Sequence, residues 1–241
     1  MFYRENSQLS TAPIICLKNK ILGFFGAALE LLFPQKCLSC QAEGFSFCPR
    51  CRGKIPLETS PLGNDTIAVW QYNHPSLQKA IWRLKYRGKR ELARDLAESL
   101  NDRLLEELAE DNLFSNPGGN DAECYLIIPI PIHKNRLKQR GYNQSELLAK
   151  ELTLQNPAIL SLKSNSLIKT KETRSQVSVE NREKRLKNVL GTFTVQNPEN
   201  IRGKRVIVVD DITTTGATFA EARKALRRAG AKSVLCVALA H

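Results

Sequence analysis

The run VIVVDDITTTGAT at residues 206–218 constrains this chain more than any other feature. Val206, Ile207, Val208 and Val209 are apolar without interruption, the pattern of a short strand buried on both faces in a parallel sheet. That strand delivers Asp210 and Asp211 to its carboxyl end, and Thr213, Thr214, Thr215, Gly216, Ala217 and Thr218 lead straight into a helix predicted over residues 219–229. The arrangement is that of a phosphate cradle. Small residues let the backbone wrap closely, Gly216 can take a positive φ, the helix amides face an anion, and threonine hydroxyls add donors without bulk. The two carboxylates, on opposite sides of the strand, suit accepting hydrogen bonds from vicinal ribose hydroxyls or holding Mg²⁺ through water.

Three other readings compete. A Walker B strand also ends in acids, but no GxxxxGK[ST] occurs in the chain. A phosphatase that forms an aspartyl phosphate needs DxD, whereas these acids are adjacent. A capped helix start with solvated acids requires neither the second acid nor four threonines.

Elsewhere, predicted strands at residues 125–129, near Phe193 and at 234–239 alternate with predicted helices at 145–154 and near 180–189. The fold class expected is therefore α/β, a mostly parallel sheet covered on both faces, with ligands beyond the carboxyl ends of its strands. Upstream, a short strand at 66–72 precedes a helical pattern over 76–113 that breaks near Gly88, and the run SNPGGN at 115–120 is a loop. The chain is read as an extension (1–30), a cysteine-bearing module (31–56) and a sheet domain (57–241). Within the stretch ILGFFGAALELLF at 21–33, Glu30 and the short length argue against a membrane span. An amphipathic helix packed on the main domain is expected there, attachment to a membrane surface being the alternative. No transmembrane segment and a cytoplasmic location follow.

Two CxxC pairs, Cys37/Cys40 and Cys48/Cys51, sit in one window, where each turn can present two sulfurs to one tetrahedral ion. Four thiolates favour Zn²⁺ and leave no position for water, so the metal is expected to be structural. A disulfide pair is the other reading. Cys16, Cys124 and Cys236 are scattered among apolar neighbours, as reduced thiols of a cytosolic protein are.

A formal charge of +12 points to anionic partners without choosing among phosphates, nucleic acid and membrane. Residues 80–94 interleave Trp82 and Tyr86 with Arg83, Lys85, Arg87, Lys89 and Arg90, a mixture suited to stacking on bases while neutralising phosphates. A half-buried helix with a solvated basic face is the plainer account.

The segment at 206–218 resembles the phosphoribosyl pyrophosphate signature of type I phosphoribosyltransferases. Three further blocks extend the likeness to the ComF family of competence proteins, relatives of the amidophosphoribosyltransferases: the CxxC pairs after LLFP, IPIPIHKNRLKQRGYNQ from Ile128, and TKETRSQVSVENREKRLKNV from Thr170. The resemblance implies a sheet domain of the type I phosphoribosyltransferase kind that binds phosphoribosyl pyrophosphate with Mg²⁺. It further implies a pyrophosphate-binding loop, for which Arg136, Arg140, Gly141, Asn143 and Gln144 are the candidates, a solvated basic loop being the alternative; read from the residues themselves, Asn143 and Glu146 look like a helix-capping pair. Arg174 and Gln176 would belong to a lid closing over the reacting carbon, the alternative being a charged surface helix. The resemblance also implies partners in natural transformation, single-stranded DNA and the proteins of DNA uptake.

Two functions follow. One is a transferase that displaces pyrophosphate at C1 of the ribose; the other is a non-catalytic module that senses phosphoribosyl pyrophosphate or binds single-stranded DNA. No residue stands out as a base that activates an acceptor.

Overall fold

The computed structural model describes residues 34–63, 65–115, 124–170 and 191–241. A short helix α1 (Pro49–Arg52) lies in the cysteine module, followed by β1 (Thr66–Trp70), α2 (Pro75–Tyr86) and α3 (Leu92–Ser115). Then come β2 (Tyr125–Pro129), α4 (Lys134–Arg140), α5 (Gln144–Gln155), β3 (Leu160–Leu162) and β4 (Leu167–Lys169). The chain ends with β5 (Phe193–Val195), β6 (Arg205–Ile212), α6 (Ala217–Arg228) and β7 (Ser233–Ala240).

Five strands form one sheet in the order β1-β7-β6-β2-β3, and every pairing in it is parallel. Strand β6 sits at its centre because its residues are apolar on both faces. Ile207 and Val209 point with Val237 and Leu239 of β7 toward α2, α3 and α5, burying Leu84, Leu96, Leu100 and Leu148. Val206 and Val208 point the other way with Cys236 and Ala238, against Phe219, Ala222 and Leu226 of α6. An antiparallel hairpin of β4 and β5 closes that second layer through Leu167 and Phe193. The α/β class with a mostly parallel, doubly covered sheet is thus as expected.

Two local differences bear on the site. The basic run after β2, expected as a loop, is helix α4. His133 caps it by accepting from the Asn135 N–H, and Gly141 stops it at φ +75°. Its residues are good helix formers, and only a glycine takes that left-handed stop cheaply. Asn143 caps α5 as expected and also donates to the Ile130 carbonyl at 3.0 Å, which fastens the helix start to the end of β2. Glu146 does not complete a reciprocal capping box; it pairs with Lys150 one turn on, at 3.1 Å.

The cysteine module shares the first core layer. Phe47, Cys37 and Ile55 are buried in the cluster that holds α3, and Asp95 of α3 accepts the Phe47 N–H at 2.7 Å. Among the described residues no helix is long and apolar enough to cross a membrane.

Candidate functional site

The ladder between β6 and β7 carries Asp210 and Asp211 to the carboxyl edge of the sheet, with Asp210 beside Ala238 and Ile212 beside Ala240. The Thr213 N–H closes on the Ala240 carbonyl at 2.9 Å, so the loop that follows starts from a fixed point. Gly216 then takes φ +70° as the N-cap of α6, and a Cβ placed there would meet nothing within 4 Å. That open space lies at a helix N-terminus, where unpaired amides and the helix dipole favour an anion.

The two acids have different surroundings. Asp211 is only 3% exposed and lies 3.0 Å from the ammonium of Lys85, from the last turn of α2. Burial would lower the Lys85 pKa, but the charges of Asp211 and Asp210 outweigh it and raise it. Asp210 is half-buried, and its Oδ1 accepts from the Ser145 hydroxyl and from the Asp211 N–H, both at 2.8 Å. Burial and then the neighbouring Asp211 charge push its carboxyl up to about 7, against the pull of Lys85 and Ser145. A carboxyl so placed gains by accepting a cation or a hydroxyl donor.

Cations gather on the α4 side. Arg140 donates to Gln144 at 2.9 Å and to the Tyr86 hydroxyl at 3.1 Å, its guanidinium 4.7 Å over the Tyr86 ring. A cavity of about 290 Å³ is lined by Lys85, Tyr86, Arg136, Gln139, Arg140 and Tyr142. Lys169 of β4 is lowered by burial and by the like charge of Arg136, against the pull of Asp210, which places these three groups within one electrostatic neighbourhood. A second cavity, of about 240 Å³, covers the loop itself and is lined by Thr213, Thr214, Thr215, Gly216, Arg223 and His241 among others.

The predicted residues Asp210, Asp211, Thr213 to Gly216, Arg136, Arg140 and Gln144 therefore lie along one edge of the sheet. Thr218, in the first turn of α6, is half-buried, and Ala217 is buried as packing for that turn. Gly141 acts through its backbone, ending α4 at φ +75°, and Asn143 through its side chain, whose Oδ1 accepts from the Ser145 N–H and whose Nδ2 donates to the Ile130 carbonyl. Arg174 and Gln176 fall in residues 171–190, outside the described residues, as does the predicted helix near 180–189. Lys85, Ser145, Lys169 and His241 were not singled out as members of the site. Ser145 follows the flagged Asn143 and Gln144, so the block pointed toward it; for Lys85, one of several cations in its helix, the sequence carried no distinguishing signal.

The cysteine tetrad converges as well. The sulfurs of Cys37, Cys40, Cys48 and Cys51 all lie within 4.8 Å of one another, and all four are free thiols. The Cys48 N–H points at the Cys37 sulfur at 3.4 Å. Burial would raise the Cys37 thiol, but N–H groups of Cys40, Cys48 and Ser39 bring it down to about 6. Four soft donors gathered around one point, with backbone N–H groups ready to support thiolate, fit a tetrahedral ion such as Zn²⁺.

On the outer face of α2, Trp82 is 46% and Tyr86 55% exposed, with the Arg87 guanidinium 4.9 Å over the Trp82 ring.

Comparison with known proteins matches residues 138–241 to the phosphoribosyl transferase domain. The chain is similar to Competence protein F of Haemophilus influenzae, 28% identical over 221 residues, which cover 85% of this chain and 90% of that protein. It is also similar to the DNA utilization protein YhgH of Escherichia coli, 30% identical over 189 residues, covering 78% of this chain and 74% of the relative. Competence protein ComFC of Bacillus subtilis is 24% identical over 226 residues, 84% of this chain and 83% of its own length.

The raised Asp210 carboxyl has a consequence for stability. Between the ordinary aspartate value of roughly 4 and about 7, the folded chain holds a proton that the unfolded chain has released. The stabilisation is full at the acid end and is lost as pH rises through about 7. Chemical denaturation of Asp210→Asn should show that part of the slope removed, with the variant more stable than the wild type near about pH 8 by on the order of 1 kcal/mol, once partial exposure is allowed for. Parallel pH profiles would contradict the assignment.

Proposed function

The chain belongs to the ComF family of the phosphoribosyltransferase superfamily, and we propose that the edge of its sheet binds phosphoribosyl pyrophosphate together with Mg²⁺. The observation that carries this reading is the strand β6 with its acid pair, set between an amide-lined loop on one side and the cavity of Lys85, Arg136 and Arg140 on the other. The loop amides and the hydroxyls of Thr213, Thr214, Thr215 and Thr218 hold the 5′-phosphate. Asp210 accepts from the ribose hydroxyls, while Asp211, tied to Lys85, fixes the end of the strand. Lys85, Arg136 and Arg140 face the pyrophosphate, whose charges bound Mg²⁺ helps to neutralise. In a transfer, the acceptor's electron pair forms the new bond at C1 as the bond from C1 to the pyrophosphate oxygen breaks, and pyrophosphate leaves with the electron pair of the broken bond. Arg174 and Gln176 belong, on this reading, to the segment that keeps water from C1.

Calorimetry with Mg²⁺ and phosphoribosyl pyrophosphate tests the site. Asp210→Asn removes a charge-assisted acceptor worth roughly 1.5–3 kcal/mol, a loss of about tenfold to a hundredfold in affinity. Gly216→Val abolishes binding, since a β-branched residue at φ +70° is strained and its methyls enter the space left for the anion. Equal binding by all three proteins would overturn the reading. Release of pyrophosphate, screened over amines, bases and nucleotides, separates turnover from sensing.

The tetrad is proposed to hold one structural Zn²⁺. Because it packs in the core layer of α3, chelation should strip hydrogen-exchange protection from Phe47 and Cys48 while β6 and β7 keep theirs. A metal-free protein with unchanged protection would contradict this.

A second reading, contact with single-stranded DNA, is favoured by the exposed Trp82 and Tyr86 with their stacked arginines. It accords with relatives named for competence and DNA utilization. Fluorescence titration with an oligothymidine should show Trp82→Ala losing roughly 1–3 kcal/mol and Arg87→Gln reducing the salt slope by about 0.7. If the wild type binds no single strand at low salt, any role in DNA uptake passes through a protein partner.

A further inference from the structure

The loop between β6 and α6 must turn its N–H groups toward an anion, which requires its carbonyl groups to be held elsewhere. The Thr214 carbonyl is held by a side chain. The Nε2 of His241 lies 3.0 Å from it, and the Nδ1 of the same ring lies 3.4 Å from Oε2 of Glu58. His241 is itself anchored by its backbone, its N–H donating to the Trp70 carbonyl at 3.0 Å and its carbonyl accepting from Tyr72 at 2.8 Å. The Glu58 side chain is 8% exposed, and its Oε1 takes the Ser60 N–H at 2.8 Å. Burial pushes the Glu58 carboxyl up, but the Ser60 N–H and His241 outweigh it and hold it below its ordinary range.

A carbonyl and a carboxylate are both acceptors. The imidazole can donate from Nε2 to the Thr214 carbonyl while Nδ1 is turned toward Glu58, so one ring bridges the loop and the carboxylate. Arg223 of α6, which also lines this cavity, has its Nη2 committed to the Asp65 carbonyl, the Thr66 hydroxyl and the Cys236 sulfur.

We propose that His241, oriented by Glu58, is a positioning residue of the phosphate loop. It draws the Thr214 carbonyl out of the cradle so that the loop amides face the 5′-phosphate. The proposal rests on the phosphoribosyl reading of the same site.

The test is calorimetry of the full chain with ribose 5-phosphate and with Mg²⁺ and phosphoribosyl pyrophosphate, for the wild type, His241→Ala, His241→Gln and Glu58→Gln. Ratios of wild-type to variant affinity are compared at one fixed pH. For His241→Ala the expected ratio is about tenfold. His241→Gln keeps a donor for the Thr214 carbonyl and recovers part of the lost affinity, which a merely structural role of the ring would not give. Glu58→Gln loses less, in the same direction. If folded His241→Ala and Glu58→Gln, checked by thermal melting, match the wild type in affinity, the clamp is overturned while the phosphoribosyl reading stands. A wild type that binds neither ligand overturns both.

Discussion

Two adjacent carboxylates at the end of a buried strand repel each other and lose hydration, and the site depends on how that cost is met. Lys85 meets it from outside the sheet domain's own signature, reaching from the last turn of α2 to within 3.0 Å of Asp211. With Asp211 paired to Lys85, the remaining cost falls on Asp210, whose carboxyl is pushed up to about 7 by burial and by the Asp211 charge against the pull of Lys85, Ser145 and the Asp211 N–H. A group disfavoured in its charged form without ligand is a group that a ligand's hydroxyls or cation can stabilise. On the proposed reading, the acid pair thus divides into an anchor and a receptor.

This division makes α2 more than a cover for the sheet. Its inner face buries Leu77, Ile81 and Leu84, its last turn supplies Lys85, and its outer face carries Trp82 and Tyr86. Tyr86 in turn receives Arg140 from the end of α4. A nucleic acid held on the outer face would lie one helix diameter or less from the cavity proposed for pyrophosphate, roughly 10 Å. In the same core layer the amino-terminal module is tied to α3, where Asp95 accepts the Phe47 N–H and Glu98 pairs with Arg52.

Much of this was legible from the sequence, for identifiable reasons. The centre of the sheet was readable because 206–209 and 234–239 are apolar without interruption, and the loop because glycine and threonines cluster at one junction. The tetrad was readable because metal-ligand spacing is local. The helix over Lys134–Arg140 was not, since dense positive charge looks like a solvated loop until a glycine supplies the stop. Strands β3 and β4, three residues each within a stretch that reads as a polar loop, were missed, whereas the equally short β5 was marked by Phe193. The Lys85–Asp211 pair spans 126 positions and the His241–Glu58 pair spans 183, and nothing in a single sequence links residues at such distances. Long-range electrostatic pairing is where reading the chain alone ran out.

The central claim, that Asp210 is the acid that meets the ligand, is tested most directly by following its carboxyl carbon by NMR through a pH titration, with and without Mg²⁺ and phosphoribosyl pyrophosphate. The account predicts titration near about 7 in the ligand-free protein, moving down into the ordinary aspartate range on saturation because the bound hydroxyls and cation favour the charged form. A titration point that stays unchanged when ligand saturates the protein would contradict it.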